Sequence, residues 1–526
     1  MSCRARLAVV AVLAALAGVV VAPGAALAAS YVPINGAGST WSEPAVTAWA
    51  GNVAQFNMQV GYSGTGSTDG RKQFANGKVE FGISEIPYGL PDSATRDVDS
   101  PPTGRGYAYM PIVAGGTAFM YNLTIGGQRV TNLRLSGDTI VKIFTNKITY
   151  WDDPAIKADN PKLALPKRKI IPVVRSDGSG TTAQFTLWMS KRYQAQWAEF
   201  CRANGRTQSP CGLTSYFPVI SGKNVGQSGS TGVAGYVVQP QYEGAITYVE
   251  YAYAIGNNFP VVKLLNEAKY YVEPTANSVA VAMTQARINA DLTQNLDAVY
   301  THTDPRAYPL SSYSYMILPT DERMGMNTAK GYTLASFAYY FLCKGQSQVV
   351  TLGYSPLPKN LVEEGVKQVK RVPGNADAAF DISKCANPTF SSDGTNLLAV
   401  NAQRPPDCDK QGPDQCATGT GGAPASTRLS GGGGGTGSQS PGAAAPSASA
   451  SVIVDPDTGE TIAAGGAGGG SGSDVAGVPV SLDRAGSWDL RRVLMVVAGV
   501  LLLALIVGPP LLARSLGRTG SGGGDR

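Results

Sequence analysis

The chain reads as an α/β protein built on a largely parallel sheet, and three observations carry that reading. Short β-like runs alternate with runs of helical period between residues 30 and 400. Turns rich in Gly, Ser and Thr stand where an extended run gives way to a helical one. The two ends of the 526-residue chain carry long apolar or low-complexity stretches, which confine the globular body to about 29–400. The whole length is enough for two or three domains.

Residues 1–28 hold Arg4 and Arg6, an apolar run over 7–22 and then Ala26-Leu27-Ala28. That is the pattern of a secretory signal peptide, with cleavage expected before Ala29. No Cys follows the apolar run at that point, which argues against a lipid anchor, and Cys3 leaves with the signal.

The body opens on Asn35-Gly36-Ala37-Gly38-Ser39-Thr40-Trp41, with Pro44 placed where the first turn of a helix tolerates it. A second turn runs from Tyr62 through Gly64-Thr65-Gly66-Ser67-Thr68-Asp69-Gly70 to Lys72. Its glycine spacing has one residue too many for a dinucleotide fingerprint, and it lacks the Gly-Lys-Ser/Thr of a Walker loop. A third turn, Arg175-Ser176-Asp177-Gly178-Ser179-Gly180-Thr181-Thr182, follows a β-rich run over 170–174. It leads into an amphipathic run with Phe185, Met189, Tyr193 and Trp197 at i, i+4 spacing. Further strands are expected at 110–113, 117–121, 245–251 and 315–318. Helices are expected after Pro44, Asp69 and Thr181, and over 334–342. Trp151-Asp152-Asp153-Pro154 reads as an Asp-capped helix start, and His302, within Thr-His-Thr-Asp-Pro, as an exposed turn.

Each of the three turns offers the same chemistry. Glycines let the backbone approach a ligand, and a helix N-terminus presents unpaired N–H groups with partial positive charge. Ser and Thr add hydroxyl donors, and Arg175 adds a planar fork of N–H groups. Six or more donors converging on one small oxyanion is the site these residues predict.

Charge and cysteine usage narrow the class. Net charge is +6, but Arg4 and Arg6 contribute +2, and residues 489–526 contribute +3 through five Arg against Asp489 and Asp525. The remaining +1 is no basic field, so nucleic acid is not an expected partner. Six Cys remain after the signal: Cys201, Cys211, Cys343, Cys385, Cys408 and Cys416. An even count in an exported chain points to disulfides. Proximity favours Cys201–Cys211 and Cys408–Cys416, leaving Cys343–Cys385, although six Cys allow fifteen connectivities. A zinc site is disfavoured: there is no CxxC, and His302 is the single His.

Beyond the body, no aromatic residue occurs between Phe390 and Trp488, and Gly, Ala, Ser, Pro and Thr dominate from Ala417. Such a stretch buries too little apolar surface to offset its ordering entropy. Residues 401–488 are therefore expected to be a flexible linker, of which 417–488 would span ~45–50 Å as a random coil. The region 489–513 contains an uncharged apolar run from Val493 to Ala513, which as a helix is ~31 Å long and matches a bilayer core. A transmembrane helix with a cytoplasmic tail over 514–526 is the expectation.

In family order across about 31–390, these segments resemble the phosphate-binding protein of the high-affinity phosphate ABC transporter. The landmarks are Gly36 to Trp41, Gly64 to Ser67, Val79-Glu80-Phe81-Gly82-Ile83-Ser84-Glu85, Ile148 to Ile156, Arg175 to Thr182 and Ala245 to Tyr251. The resemblance implies a periplasmic-binding-protein-like fold of two α/β lobes joined by a hinge that closes over the ligand. It implies inorganic phosphate as ligand, permease subunits of an ABC transporter as partners, an extracytoplasmic binding domain, and neither cofactor, metal nor catalytic residue. Carried over by motif, Thr40, the backbone N–H of Trp41, Ser67, Arg175, Ser179, Gly180 and Thr181 would bind the anion. Asp177 would hold Arg175, and Ser39 would support the first turn. Glu85 stands where the family usually has Asp. A carboxylate there accepts the proton of hydrogen phosphate and rejects sulfate, which has none to give at neutral pH. Gly229-Ser230-Thr231-Gly232-Val233 departs from the family's usual Gly-Asn-Asp/Glu-Gly-Val, and the C-terminal linker and span are a third departure.

A phosphate-ester hydrolase would need a metal site or an activated nucleophile. One His excludes multi-His metal sites, and Ser179 has no evident base. A membrane-held sensor or adhesion module on the same fold is the stronger alternative.

Overall fold

The computed structural model describes residues 31–94, 99–375 and 380–429. Eight strands make the main sheet: β1 (Ile34–Gly38), β2 (Val60–Ser63), β3 (Phe81–Ser84), β4 (Tyr107–Tyr121), β5 (Ile171–Arg175), β6 (Val225–Gln227), β7 (Ala245–Glu250) and β8 (Ser311–Pro319). Their order is β2-β1-β3-β8-β4-β7-β5-β6. The expectation of a largely parallel sheet holds only at its two ends. β1 pairs in parallel with β2 and β3, and β5 with β7 and β6. The centre is antiparallel, because β4 and β8 run between the two ends. This divides the body into two α/β lobes, β2-β1-β3 and β7-β5-β6, joined through β4 and β8.

Residues 110–113 and 117–121, expected as two strands, belong to one. β4 faces β8 over 107–116 and β7 over 117–121. Ala114-Gly115-Gly116 reads as a break in sequence but is a packing requirement. A Cβ on Gly115 would lie 2.6 Å from the Trp41 ring and 3.1 Å from Glu250 Oε1, so only Gly lets the lobes meet there.

The helices that pack against the sheet include α1 (Glu43–Ala54), α2 (Ser67–Ala75), α3 (Gly180–Arg192), α4 (Gly229–Val237), α5 (Ala276–Met283), α6 (Thr328–Leu342) and α7 (Lys359–Val369). α1 carries Pro in its first turn and buries Val46, Trp49 and Val53. The amphipathic run after Thr181 breaks at Tyr193, whose φ −136°, ψ 41° ends α3 before a second helix, Gln194–Ala203. Phe185, Met189 and Trp197 are buried all the same. Asp153 caps the helix Pro154–Asp159 by accepting from Ala155 N at 2.9 Å, as its sequence pattern predicts. His302 is half-buried rather than an exposed turn, and its Nδ1 accepts from Asp304 N at 3.0 Å.

All six Cys are paired, as Cys201–Cys211, Cys343–Cys385 and Cys408–Cys416. Residues 401–429, expected as the first part of the linker, instead pack against the body, and 430–488 lie outside the described residues. Lys263 Nζ meets Asp409 Oδ2 at 2.7 Å, with both side chains buried. Arg134 donates to the carbonyls of Cys408 and Asp414, and Asn132 to that of Cys416. Gly421 N donates to Glu273 Oε1 at 2.6 Å. Composition misleads here because the segment is held by an ion pair, a disulfide and backbone hydrogen bonds rather than by apolar area. The expected signal (1–28) and transmembrane run (489–513) lie outside the described residues. Among the described residues, no helix is long and apolar enough to cross a membrane.

Candidate functional site

The three glycine-rich turns meet where the lobes face each other. β1 ends at Gly38, whose φ of +139° suits Gly alone, and the chain turns into α1. Ser39 Oγ donates a short hydrogen bond to Glu85 Oε1 and accepts from Trp41 N at 3.0 Å. Gly66, with φ +93°, starts α2, and Ser67 Oγ donates to Glu85 Oε2 at 2.7 Å. From the other lobe, Gly180 N donates to Ser67 Oγ at 3.2 Å. Glu85 is 1% exposed, and its main-chain carbonyl accepts from Gln184 Nε2 of α3 at 2.7 Å. Ser39, Ser67, Glu85 and Gly180 thus form one buried cluster spanning both lobes.

A second cluster adjoins it. β5 delivers Arg175, 2% exposed, whose Nε donates to Asp177 Oδ1 at 2.7 Å and whose Nη2 makes a short bond to Oδ2. Asp177 Oδ1 also accepts from Gly229 N at 3.0 Å. Burial alone would raise the Asp177 carboxyl, but the hydrogen bonds and charge of Arg175 outweigh it and hold it below its ordinary value. Thr40 Oγ1 shares a 2.8 Å hydrogen bond with Ser230 Oγ and accepts from Ser230 N, while Arg175 Nη1 reaches Ser230 Oγ at 3.3 Å. Ser179 is the N-cap of α3, accepting from Thr182 N at 3.1 Å. Thr181 is buried in the first turn of that helix.

Every site residue expected from sequence lies in or beside these clusters, but two of the expected N–H donors are engaged within the protein. That of Gly180 donates to Ser67 Oγ. The N–H of Trp41 is engaged by Ser39 Oγ, while its ring packs under the lobe junction.

Two further residues escaped the sequence reading. Ser230 bridges Thr40 and Arg175, and its signal was present as the departure at Gly229-Ser230-Thr231-Gly232. Ser314 donates to Glu85 Oε1 at 2.9 Å from β8. It sits beside an irregularity: Ser314 pairs with Val113 and Tyr315 with Pro111, which leaves Ile112 as an extra residue on β4. Such bulges re-aim side chains, and nothing local in the sequence announces this one.

Gly180 is sterically required. A Cβ there would lie 2.0 Å from Glu85 Oε2 and 2.5 Å from Ser67 Oγ. Gly180→Ala is expected to destabilise the body by ~1–3 kcal/mol, the cost of overpacking a tight contact, measured by urea denaturation. An unchanged midpoint would mean that the cluster is looser than these distances.

Glu250 lies at the end of β7, in register with Thr117 of β4, and caps the helix Tyr251–Gly256. Its Oε2 accepts from Ala252 N at 2.5 Å, and Oε1 is buried. Burial raises its carboxyl well above the ordinary 4.5, with the Ala252 N–H and Tyr354 opposing only in part. For a raised group, the stability contribution is full below the unfolded value and is lost as pH rises through the folded one. The stability of Glu250→Gln relative to wild type should therefore grow from pH 4 to pH 8 in urea titrations. A difference independent of pH would refute this.

Among the described residues, no group of three or more His, Cys, Asp or Glu side chains is arranged to hold a metal ion. The sequence model of the PBP superfamily domain matches residues 23–344. Phosphate-binding protein PstS of Xylella fastidiosa (strain Temecula1 / ATCC 700964) is 33% identical over 343 residues, covering 65% of this chain and 86% of that protein. Phosphate-binding protein PstS of Methanocaldococcus jannaschii is 30% identical over 360 residues, covering 65% and 87%. A phosphate-binding protein from Stenotrophomonas maltophilia superposes with a TM-score of 0.47 at 16% identity, over 68% of this chain and 98% of that one. With more than half of its length matched by the superfamily model and most of a 33%-identical relative covered, the chain belongs to the PstS phosphate-binding-protein family of the PBP superfamily.

Proposed function

We propose that this protein captures hydrogen phosphate outside the cytoplasm and delivers it to the permease of an ABC transporter, without chemical turnover. One observation carries the reading: a buried carboxylate, Glu85, and hydroxyl and N–H donors of both lobes meet at one place. Thr40, the Trp41 N–H, Ser67, Arg175, Ser179, Gly180 and Thr181 are the donors, with Asp177 and Ser39 in support. Glu85 accepts the proton that hydrogen phosphate carries, which excludes a fully ionised anion of the same shape. Donors contributed by both lobes support closure of the lobes around the ligand.

The uncharged run over 493–513 supports a single-pass anchor that holds the binding domain at the outer face of the membrane. The same run, together with the low-complexity stretch before it, favours a second reading, a membrane-held sensor or adhesion module.

Calorimetry on the full-length chain tests the capture step. Saturable phosphate binding, competed by arsenate and not by sulfate, supports capture. Binding of neither phosphate nor arsenate overturns it and leaves the display module.

A further inference from the structure

A second set of contacts joins the lobes away from the anion cradle. Asp92 lies between β3 and β4, on the first lobe. Its Oδ1 accepts from Thr214 Oγ1 at 2.8 Å and its Oδ2 from Ser215 N at 2.7 Å. Beside it, Ser93 N donates to the Leu213 carbonyl at 3.0 Å. Residues 211–216 belong to the second lobe. Cys211 is bonded to Cys201, and the Gly212 carbonyl accepts from Trp197 Nε1 at 2.9 Å. Thr186 of α3 grips Thr214 twice, its Oγ1 accepting from Thr214 N at 2.9 Å and donating to the Thr214 carbonyl at 3.0 Å. The Ser215 carbonyl accepts from Ser179 N at 2.9 Å.

These bonds form a relay. A carboxylate on one lobe holds the Ser215 peptide, and that peptide holds the N-cap of α3 on the other. Asp92 also keeps its own turn through Ala94 N at 2.7 Å, which fixes the carboxylate toward Thr214 and Ser215. The guanidinium of Arg206, held below its ordinary value by burial with Asp92 opposing in part, donates to the Tyr216 carbonyl at 2.5 Å. The first lobe thus offers a charged acceptor, and the second a prealigned hydroxyl and N–H, to hydrogen bonds that join the two.

We propose that Asp92 is a positioning residue for capture: a lobe-to-lobe clamp that sets how long the ligand stays, acting through Ser215 on Ser179. It touches no ligand. Because its bonds form on closure, removing them speeds opening and leaves encounter and selectivity alone. The proposal rests on the phosphate reading for its ligand but not for the clamp itself.

The test is stopped-flow phosphate binding on the full-length chain, read by the tryptophan fluorescence change of lobe closure. Asp92→Ala should raise the release rate about tenfold or more, as expected for losing hydrogen bonds to a charged group. The association rate should stay within about twofold, and the preference for phosphate over sulfate should match wild type. Thr214→Val, which removes one bond and leaves Ser215 N, should raise release by a smaller factor. The double variant should be no faster than Asp92→Ala, because the two residues share one interaction. Additive effects, a loss carried by association, or an altered sulfate preference would overturn the clamp. Should Asp92→Ala fail to fold, Thr214→Val still decides through the same split of rates. If wild type binds no phosphate, the functional reading fails, and the clamp is read by small-angle scattering instead. Thr214→Val should then expand the body, and an unchanged radius would overturn the proposal.

Discussion

Arg175→Ala is expected to weaken phosphate binding by about two orders of magnitude or more in calorimetry, since the guanidinium offers two charge-assisted hydrogen bonds of roughly 1.5–3 kcal/mol each. It is the one cation in the proposed donor set, it is 2% exposed, and Asp177 and Ser230 hold its plane. The variant also leaves the largely buried Asp177 without its cation. Breaking a buried pair from one side costs roughly 3–5 kcal/mol, so the urea midpoint should fall as well. A second substitution separates the two effects. Arg175→Ala combined with Asp177→Ala removes the stranded carboxylate and should recover much of the stability, but none of the binding. If the double variant binds phosphate like wild type, Arg175 is structural and the cradle lies elsewhere.

Glu85→Gln is the second large effect, and its sign differs between ligands. The carboxylate accepts from Ser39, Ser67 and Ser314, and those three hydroxyls fix both oxygens. An amide keeps one acceptor and replaces the other with an N–H₂ donor. Phosphate then loses the acceptor for its proton, at roughly 1–3 kcal/mol, or about ten- to a hundredfold in affinity. Sulfate loses a like charge and gains a donor, so its binding should rise from undetectable to measurable. Competition calorimetry with both anions reads the two changes together. Unchanged selectivity would mean that the carboxylate does not face the ligand.

The body's elements were legible wherever local pattern decides them. The turn–helix junctions at Ser39, Ser67 and Ser179 announce themselves by glycine and hydroxyl residues, because a helix start needs those groups for its unpaired N–H donors. Asp153 and Pro154 mark a helix start for the same reason. Where neighbours distant in sequence decide, the reading failed. Gly115 and Gly116 continue β4 because Trp41 and Pro274 press on them from elsewhere in the chain. Residues 401–429 look like linker by composition, yet Lys263, Arg134 and Glu273 supply buried partners that composition does not reveal.

The candidate site divides along the same line. Sequence alone determined the three turns, the Arg175-Ser176-Asp177 step and the presence of a carboxylate at position 85. Each is a local motif whose chemistry survives any arrangement of the rest. Only the tertiary structure decided that Ser230 and Ser314 join them, since one comes from a helix start on the far lobe and the other from mid-strand on β8. It also decided that Asp92, more than a hundred residues from Ser215, reaches the loop that holds Ser179. The physical reason is that a hydrogen bond depends on separation in space, which the chain reports only over the few residues of a turn.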